Sequence, residues 1–220
     1  MDSRIRAVIF DLDGTLIDTL NTYTLALNMA LNRYGIEPIE RSKLAHFLNM
    51  AIPLREILER ISPIFLDPKR NEECIKIIHE NYSSLEKETV RLLPGVREVL
   101  RELKKRKIKI GIVTGRTSKG ERKWVELRRL KVDRFVDSFI TASESPRKPN
   151  AQGLMECIER LGVRPEEVVF VGDSVADMMA GKKANLKTFG VLTGVASEED
   201  LITEKPTGIL KNLKELLNYI

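Results

Sequence analysis

Cysteine, histidine and aromatic residues are scarce in this 220-residue chain, which has two cysteines, two histidines and 5% aromatics. Cys74 and Cys157 lie far apart and neither has a CxxC-type neighbour. That excludes a disulfide framework, and both read as reduced thiols of a cytosolic protein. His46 and His79 have no metal-ligand spacing around them and read as surface or packing residues. No apolar run approaches the roughly 20 residues of a membrane span, so no membrane partner is expected. The opening stretch MDSRIRAVIF enters a strand directly, without the layout of a signal peptide, and a cytoplasmic location is expected. Internal repeats and low-complexity tracts are absent. A single glutamine, Gln152, stands among abundant lysine, arginine, glutamate and isoleucine, the balance favoured by heat-adapted proteins.

What is there suffices for a real core: 42% of residues are hydrophobic, under a heavily charged surface with a net charge of +5. The basic excess suits anionic partners in general and names none. Short β-branched runs alternate with helical patterns. Strands are expected over 5–11, 108–114, 135–141, 168–172 and 188–192. Between them Val96, Val99, Leu100 and Leu103 recur at helical spacing, as do Leu154, Cys157, Ile158 and Leu161. Nearly continuous apolar strands separated by helices predict a parallel sheet covered on both faces. The expected fold class is α/β, a doubly wound, Rossmann-like core. From about Leu16 to Glu88 no strand pattern occurs. Helical segments fill that stretch: TLNTYTLALNMALNRYG, PLREILERI and DPKRNEECIKIIHENYSSLEKE. It is too long for one crossover helix. Residues 16–88 are therefore expected to form an inserted all-helical cap, with 1–15 and 89–220 as the core and hinges near 16–18 and RLLPGV.

In such sheets ligands sit beyond the carboxyl ends of the strands. The first strand ends in Asp11 and continues through Leu12 to Asp13 and Gly14. If the chain stays extended the two carboxylates share a side, and Gly14 lets another group approach the backbone. Like charges so placed call for a cation. The second strand ends in IVTGR, with Thr114 and Gly115 at its tip. The fourth ends in VGDSVAD, with Asp173 and Ser174 at the tip and Asp177 about one helical turn on. Lys148 lies in SPRKPN, after the third strand. Acidic oxygens in number suit Mg²⁺, which binds through one or two carboxylates together with phosphate oxygens and water. Lys148, Thr114 and the amides around Leu12, Gly14 and Gly115 suit a phosphate.

The stretches DLDGTLIDT, IVTGR, KPN and VGDSVAD, in that order, resemble the four motifs of the haloacid dehalogenase superfamily of phosphotransferases. The resemblance covers the whole chain. LLPGVREVLRELKKRKIKIGIVTGR and the helical insert resemble its phosphoglycolate-phosphatase-like branch. The resemblance implies a Mg²⁺-dependent phosphatase that acts on a small soluble phosphate ester through an aspartyl-phosphate. It implies Asp11 as nucleophile and Asp13 as general acid and then base. It implies Mg²⁺ held by Asp11, the Asp13 carbonyl and Asp173, with Ser174 and Asp177 supporting from behind. Thr114 and Lys148 would hold the phosphoryl oxygens. The dehalogenases carry an aromatic residue where Asp13 stands, so Asp13 implies phosphate chemistry. NMAIPLREIL resembles the GxPLxExL stretch of phosphoglycolate phosphatases, except that Asn49, Met50 and Ala51 stand where glycine is usual. The Arg-Glu-Asp-like run of the phosphoglucomutases has no counterpart. Phosphoglycolate is the leading expected substrate, with mutase, pyrophosphatase and nucleotidase activities as alternatives.

Other readings are set aside. GRTSKGER has the glycine spacing of a phosphate loop, but Glu121 stands where lysine is required. The basic stretches RELKKRKIK and RKWVELRRLK carry Leu103, Ile108, Trp124, Leu127 and Leu130 at buried spacing. They read as solvated helix faces, and a nucleic-acid partner is not expected. A phosphate-sensing protein that does no catalysis would be favoured by loss of Asp11, Asp13 or Asp173, and none is missing. The tail ILKNLKELLNYI reads as a final amphipathic helix, and a monomer or homodimer is expected.

Overall fold

The computed structural model of the chain describes residues 5–220, so residues 1–4 of the expected core lie outside the described residues. In chain order the elements begin with β1 (Ala7–Phe10), β2 (Ile17–Asp18), α1 (Leu20–Arg33), α2 (Arg41–Asn49), α3 (Leu54–Ile61) and α4 (Pro68–Thr89). There follow β3 (Arg91–Leu92), α5 (Val96–Lys105), β4 (Lys109–Thr114), α6 (Val125–Arg129), β5 (Ser138–Thr141) and α7 (Gln152–Leu161). The chain closes with β6 (Val168–Gly172), α8 (Val175–Lys183), β7 (Lys187–Val191), α9 (Glu198–Ile202) and β8 (Gly208–Leu210).

Six of these strands form one parallel sheet in the order β5-β4-β1-β6-β7-β8. All four residues of β1 are buried, and they divide by the two-residue period: Val8 and Phe10 on one face, Ala7 and Ile9 on the other. The first face packs against Val99, Leu100 and Leu103 of α5. The second packs against Leu154, Cys157 and Leu161 of α7. Gly111 of β4 lets α7 approach, since a side chain there would meet Cys157, Ile9 and Leu161. Phe10 lies opposite Ile112 on one side and Val171 on the other, so β4, β1 and β6 end nearly level. From β1 the chain winds outward to β4 and β5, then returns to lay β6, β7 and β8 on the other side. The switch point, where ligands enter such sheets, is therefore the tip of β1.

Helices α1 to α4 bury their own apolar cluster, with Leu27, Leu31, Leu44, Ile57, Phe65 and Ile78. Asp67 caps α4 by accepting from the Lys69 N–H at 2.9 Å, and Pro68 occupies the first helical position. Buried Asn81 donates to the carbonyl of Ala26 at 3.1 Å and so ties α4 to α1. A two-residue antiparallel ribbon joins this helical segment to the sheet, with Ile17 opposite Leu92 and Asp18 opposite Arg91.

Several expectations need correction. The stretch expected to hold no strand contains β2, and α2 falls in a stretch with no expected helix. The strand expected over 135–141 begins at Ser138, because Asp133–Phe135 forms a 3-10 turn. The tail is not an α-helix: β8 adds a strand, and a 3-10 turn at Leu213–Asn218 seats Leu213 and Leu216 in the core. Both cysteines are free and buried, and burial pushes each thiol up to about 11, the mark of inert sulfur. Among the described residues no helix is long and apolar enough to cross a membrane.

Candidate active site

Immediately after Asp13 the chain turns back on itself. Gly14 takes a φ of +84°, and the N–H groups of Leu16 and Ile17 both donate to the carbonyl of Leu12, at 2.9 and 3.0 Å. Up to that turn Asp11 and Asp13 both face the cleft, with Leu12 between them turned into the core. The two carboxylates nonetheless meet different cations. Lys148 donates to Asp11 Oδ1, while Arg116 engages both oxygens of Asp13, Nε to Oδ2 at 2.8 Å and Nη2 to Oδ1 at 2.6 Å. Thr19, just before α1, adds a hydroxyl donor to Asp13 Oδ1 at 2.9 Å.

Asp11, at the tip of β1, is joined by two aspartates from the β6–α8 junction. Carboxylate oxygens of Asp11, Asp173 and Asp177 all lie within 4.8 Å of one another, and all three residues are buried. Lys148 reaches between them and pairs with Asp177 at 2.5 Å as well as with Asp11. Asp173 accepts from the Thr15 hydroxyl at 3.0 Å and the Val195 N–H at 2.9 Å. Ser174 caps α8, and its N–H and hydroxyl donate to Asp177 Oδ2 at 3.1 and 2.6 Å. Asp177 therefore lies beside Asp11 and Asp173. Burial pushes the Asp11 carboxyl up to about 7, with Asp177 and Asp13 adding to the rise and Lys148 opposing it. Burial, then Asp11 and Asp177, drives Asp173 well above the usual carboxylate range. Asp13 goes the other way: burial resists its ionisation, but the Arg116 guanidinium outweighs that and lowers it.

Three buried carboxylates around one lysine cannot all ionise without a further cation. The donor set, all hard oxygen, fits a divalent cation such as Mg²⁺. The walls fit as well, because a Cβ on either Gly14 or Gly194 would overlap the Asp173 carboxylate. Both positions must stay bare for the cluster to hold its shape.

Above the cluster opens a cleft of about 1350 Å³, roofed by residues of α1, α3 and α4. Asp11, Asp13, Gly14, Thr114, Gly115, Lys148, Asp173, Ser174 and Asp177 all border it. Leu12 does not; its side chain lies in the core. Arg116, Glu126 and Tyr82 also reach the cleft, and nothing in their local sequence marks them for it. Arg116 also donates to Glu126 Oε2 at 2.6 Å and to the Tyr82 hydroxyl at 2.9 Å. His79 of α4 borders the cleft, and burial followed by Arg147 lowers its basicity. Asn49 of α2 accepts from the Val175 N–H at 2.8 Å and donates to Asp200 at 3.3 Å, tying the helical segment to α8 and α9. A glycine there would lose both bonds. Ala51 holds a left-handed φ of +52°, a conformation that costs an L-residue roughly 1–2 kcal/mol and that glycine adopts freely.

The sequence model of the haloacid dehalogenase-like hydrolases matches residues 8–191. The chain belongs to this family. It is a hydrolase, and its six-stranded parallel sheet with flanking helices is the family's fold. A Clostridium perfringens protein provisionally named pyrophosphatase PpaX is 34% identical, over 97% of this chain and 99% of that one. A Pseudomonas putida phosphoglycolate phosphatase is 27% identical, over 96% of this chain and 78% of that one. The crystal structure of a Bacteroides fragilis protein provisionally named a haloacid dehalogenase-like hydrolase superposes with a TM-score of 0.87 at 25% identity, covering 97% of this chain and all of that one.

Proposed function

We propose that the protein is a Mg²⁺-dependent phosphatase of small soluble phosphate esters, working through an aspartyl-phosphate on Asp11. The observation that carries this reading is the placement of Lys148 between Asp11 and Asp177, in a buried three-carboxylate cluster at the switch point of the sheet. An oxygen of Asp11 attacks phosphorus, and the bond from phosphorus to the leaving oxygen breaks with its electron pair on that oxygen. Asp13, able to carry a proton once the Arg116 that holds it ionised lets go, supplies the proton that the leaving oxygen takes up. Water then attacks the phosphorus of the aspartyl-phosphate, Asp13 accepts its proton, and the Asp11 carboxylate is restored. Lys148 and Thr114 hold the phosphoryl oxygens in line during both transfers. Mg²⁺ bound by Asp11, Asp173 and the Asp13 carbonyl, with Asp177 beside them, would supply positive charge for the phosphoryl group. Residues 16–88 act as the cap: the helical segment's own core and the β2–β3 ribbon support a unit that covers the leaving group. The same cover confines substrates to small molecules, and the setting is cytoplasmic.

Phosphoglycolate is the first substrate to try. The pyrophosphatase names of relatives at 30–34% identity favour pyrophosphate as a second, and the cations Arg55, Lys119, Arg122 and Arg147 around the cleft suit either polyanion. The test is phosphate release from a panel of small phosphate esters and pyrophosphate, in Mg²⁺ and in excess EDTA. At least one compound should be hydrolysed in Mg²⁺, and EDTA should suppress turnover about 100-fold or more, reversibly. Full activity in EDTA would remove the metal from the mechanism, and an inert panel would remove the phosphatase.

A further inference from the structure

Arg116 transfers nothing in the steps above, yet it holds both oxygens of the group that must serve the leaving oxygen. We infer that Arg116 selects substrates whose leaving group carries its own negative charge within a bond or two of the departing oxygen, by giving up Asp13 for that charge. The inference rests on the reading of Asp13 as the acid–base partner.

Geometry supplies the first support. A departing oxygen served by Asp13 must lie within hydrogen-bond reach of its carboxylate. Arg116 Nη2 already sits 2.6 Å from Asp13 Oδ1, so the atoms next to the departing oxygen meet the guanidinium. The second support is occupancy. Asp13 receives two bonds from Arg116 and one from Thr19, three of the roughly four acceptor positions of a carboxylate, so a leaving group has little room beside it unless Arg116 shifts. A guanidinium with only 24% of its side-chain surface exposed needs a replacement acceptor when it releases a carboxylate. A carboxylate or phosphoryl group on the leaving group provides one, with two oxygens that match the planar fork. An uncharged alcohol does not.

Tethering supplies the third support. Glu126 of α6 holds Nη1 at 2.6 Å, so Arg116 can turn towards substrate while one anionic partner stays in place. Tyr82 of α4 accepts from Nη2 at 2.9 Å and lays its ring 5.6 Å from the guanidinium carbon. The same arginine is thereby in contact with the helical segment that covers the site. Lys148 cannot substitute, because Asp11 and Asp177 already engage it. The substrate class is a phosphoanhydride or a phosphate ester of a short hydroxy acid.

The test uses the full chain in Mg²⁺ with two probes, pyrophosphate and 4-nitrophenyl phosphate, whose leaving group carries no charge beside the bridging oxygen. kcat and KM are measured separately for wild type, Arg116→Met and Arg116→Lys. Wild type should favour pyrophosphate. In Arg116→Met the kcat/KM ratio of pyrophosphate to the aryl ester should fall about 50-fold, with kcat for pyrophosphate falling as well as KM rising. Arg116→Lys keeps the charge but not the fork, and should recover part of the ratio. If Arg116→Met does not fold, an unchanged ratio in Arg116→Lys overturns the inference and a fall of about fivefold supports it. Equal losses on both probes would mean that Arg116 only positions Asp13, and would overturn selection by charge. A wild-type preference for the aryl ester would overturn it too. Wild type inert towards both probes overturns the inference, and only an inert panel of phosphate esters as well overturns the phosphatase reading itself.

Discussion

Asp11→Asn should reduce phosphate release by about 10⁴-fold or more while leaving the fold intact. The amide has nearly the volume of the carboxylate but cannot supply the oxyanion that attacks phosphorus. Folding should tolerate the change because it removes one of three crowded negative charges, and Lys148 keeps Asp177 as a partner at 2.5 Å. Far-ultraviolet circular dichroism and the thermal midpoint, measured without metal, should therefore match wild type or show a slightly higher midpoint. A variant within about tenfold of wild-type turnover would remove Asp11 as nucleophile. A variant that unfolds would instead assign Asp11 a structural role.

Lys148→Met should cost about 10³-fold in kcat, the scale expected when a preorganised positive charge is taken from a transferring phosphoryl group. Stability should suffer too, in contrast to Asp11→Asn. The Lys148 side chain is only 9% exposed, and methionine would leave Asp11, Asp173 and Asp177 clustered around no side-chain cation. Losing one partner of a buried pair costs about 3 kcal/mol. Denaturant unfolding in metal-free buffer should show that loss, and added Mg²⁺ should recover part of it by binding the native cluster. Turnover near wild type would mean that the lysine serves packing alone. Loss of turnover with no loss of stability would mean that the carboxylates do not depend on it.

How far these residues can be read from the chain depends on how much sequence each feature needs. The sheet was legible because β1, β4 and β6 are runs of β-branched and aromatic residues buried on both faces, a pattern that survives without tertiary information. The tips were legible because Asp11, Thr114 and Asp173 each follow such a run directly. The β2–β3 ribbon was not, since two residues cannot display a period of two. Nor was the form of the tail. Leu210, Leu213 and Leu216 recur every three residues, a spacing that a 3-10 turn following a strand satisfies as well as an α-helix does. Asp11 and Asp13 both face the cleft, as the two-residue period suggests, but their separate cations were not legible, because Lys148 and Arg116 lie far off in sequence. Arg116 was invisible for the same reason. An arginine after a strand reads as solvated until Asp13, Glu126 and Tyr82, far off in sequence, are seen to converge on it.

The central claim is a covalent one, that phosphorus passes through Asp11, and it can be met directly. Wild-type protein mixed with its best substrate and Mg²⁺ is quenched in acid during turnover and mapped by mass spectrometry. The account predicts a phosphoryl group on the peptide containing Asp11, lost on treatment with hydroxylamine and absent from Asp11→Asn. Rapid turnover with no adduct at any quench time, or an adduct on another residue, would contradict it.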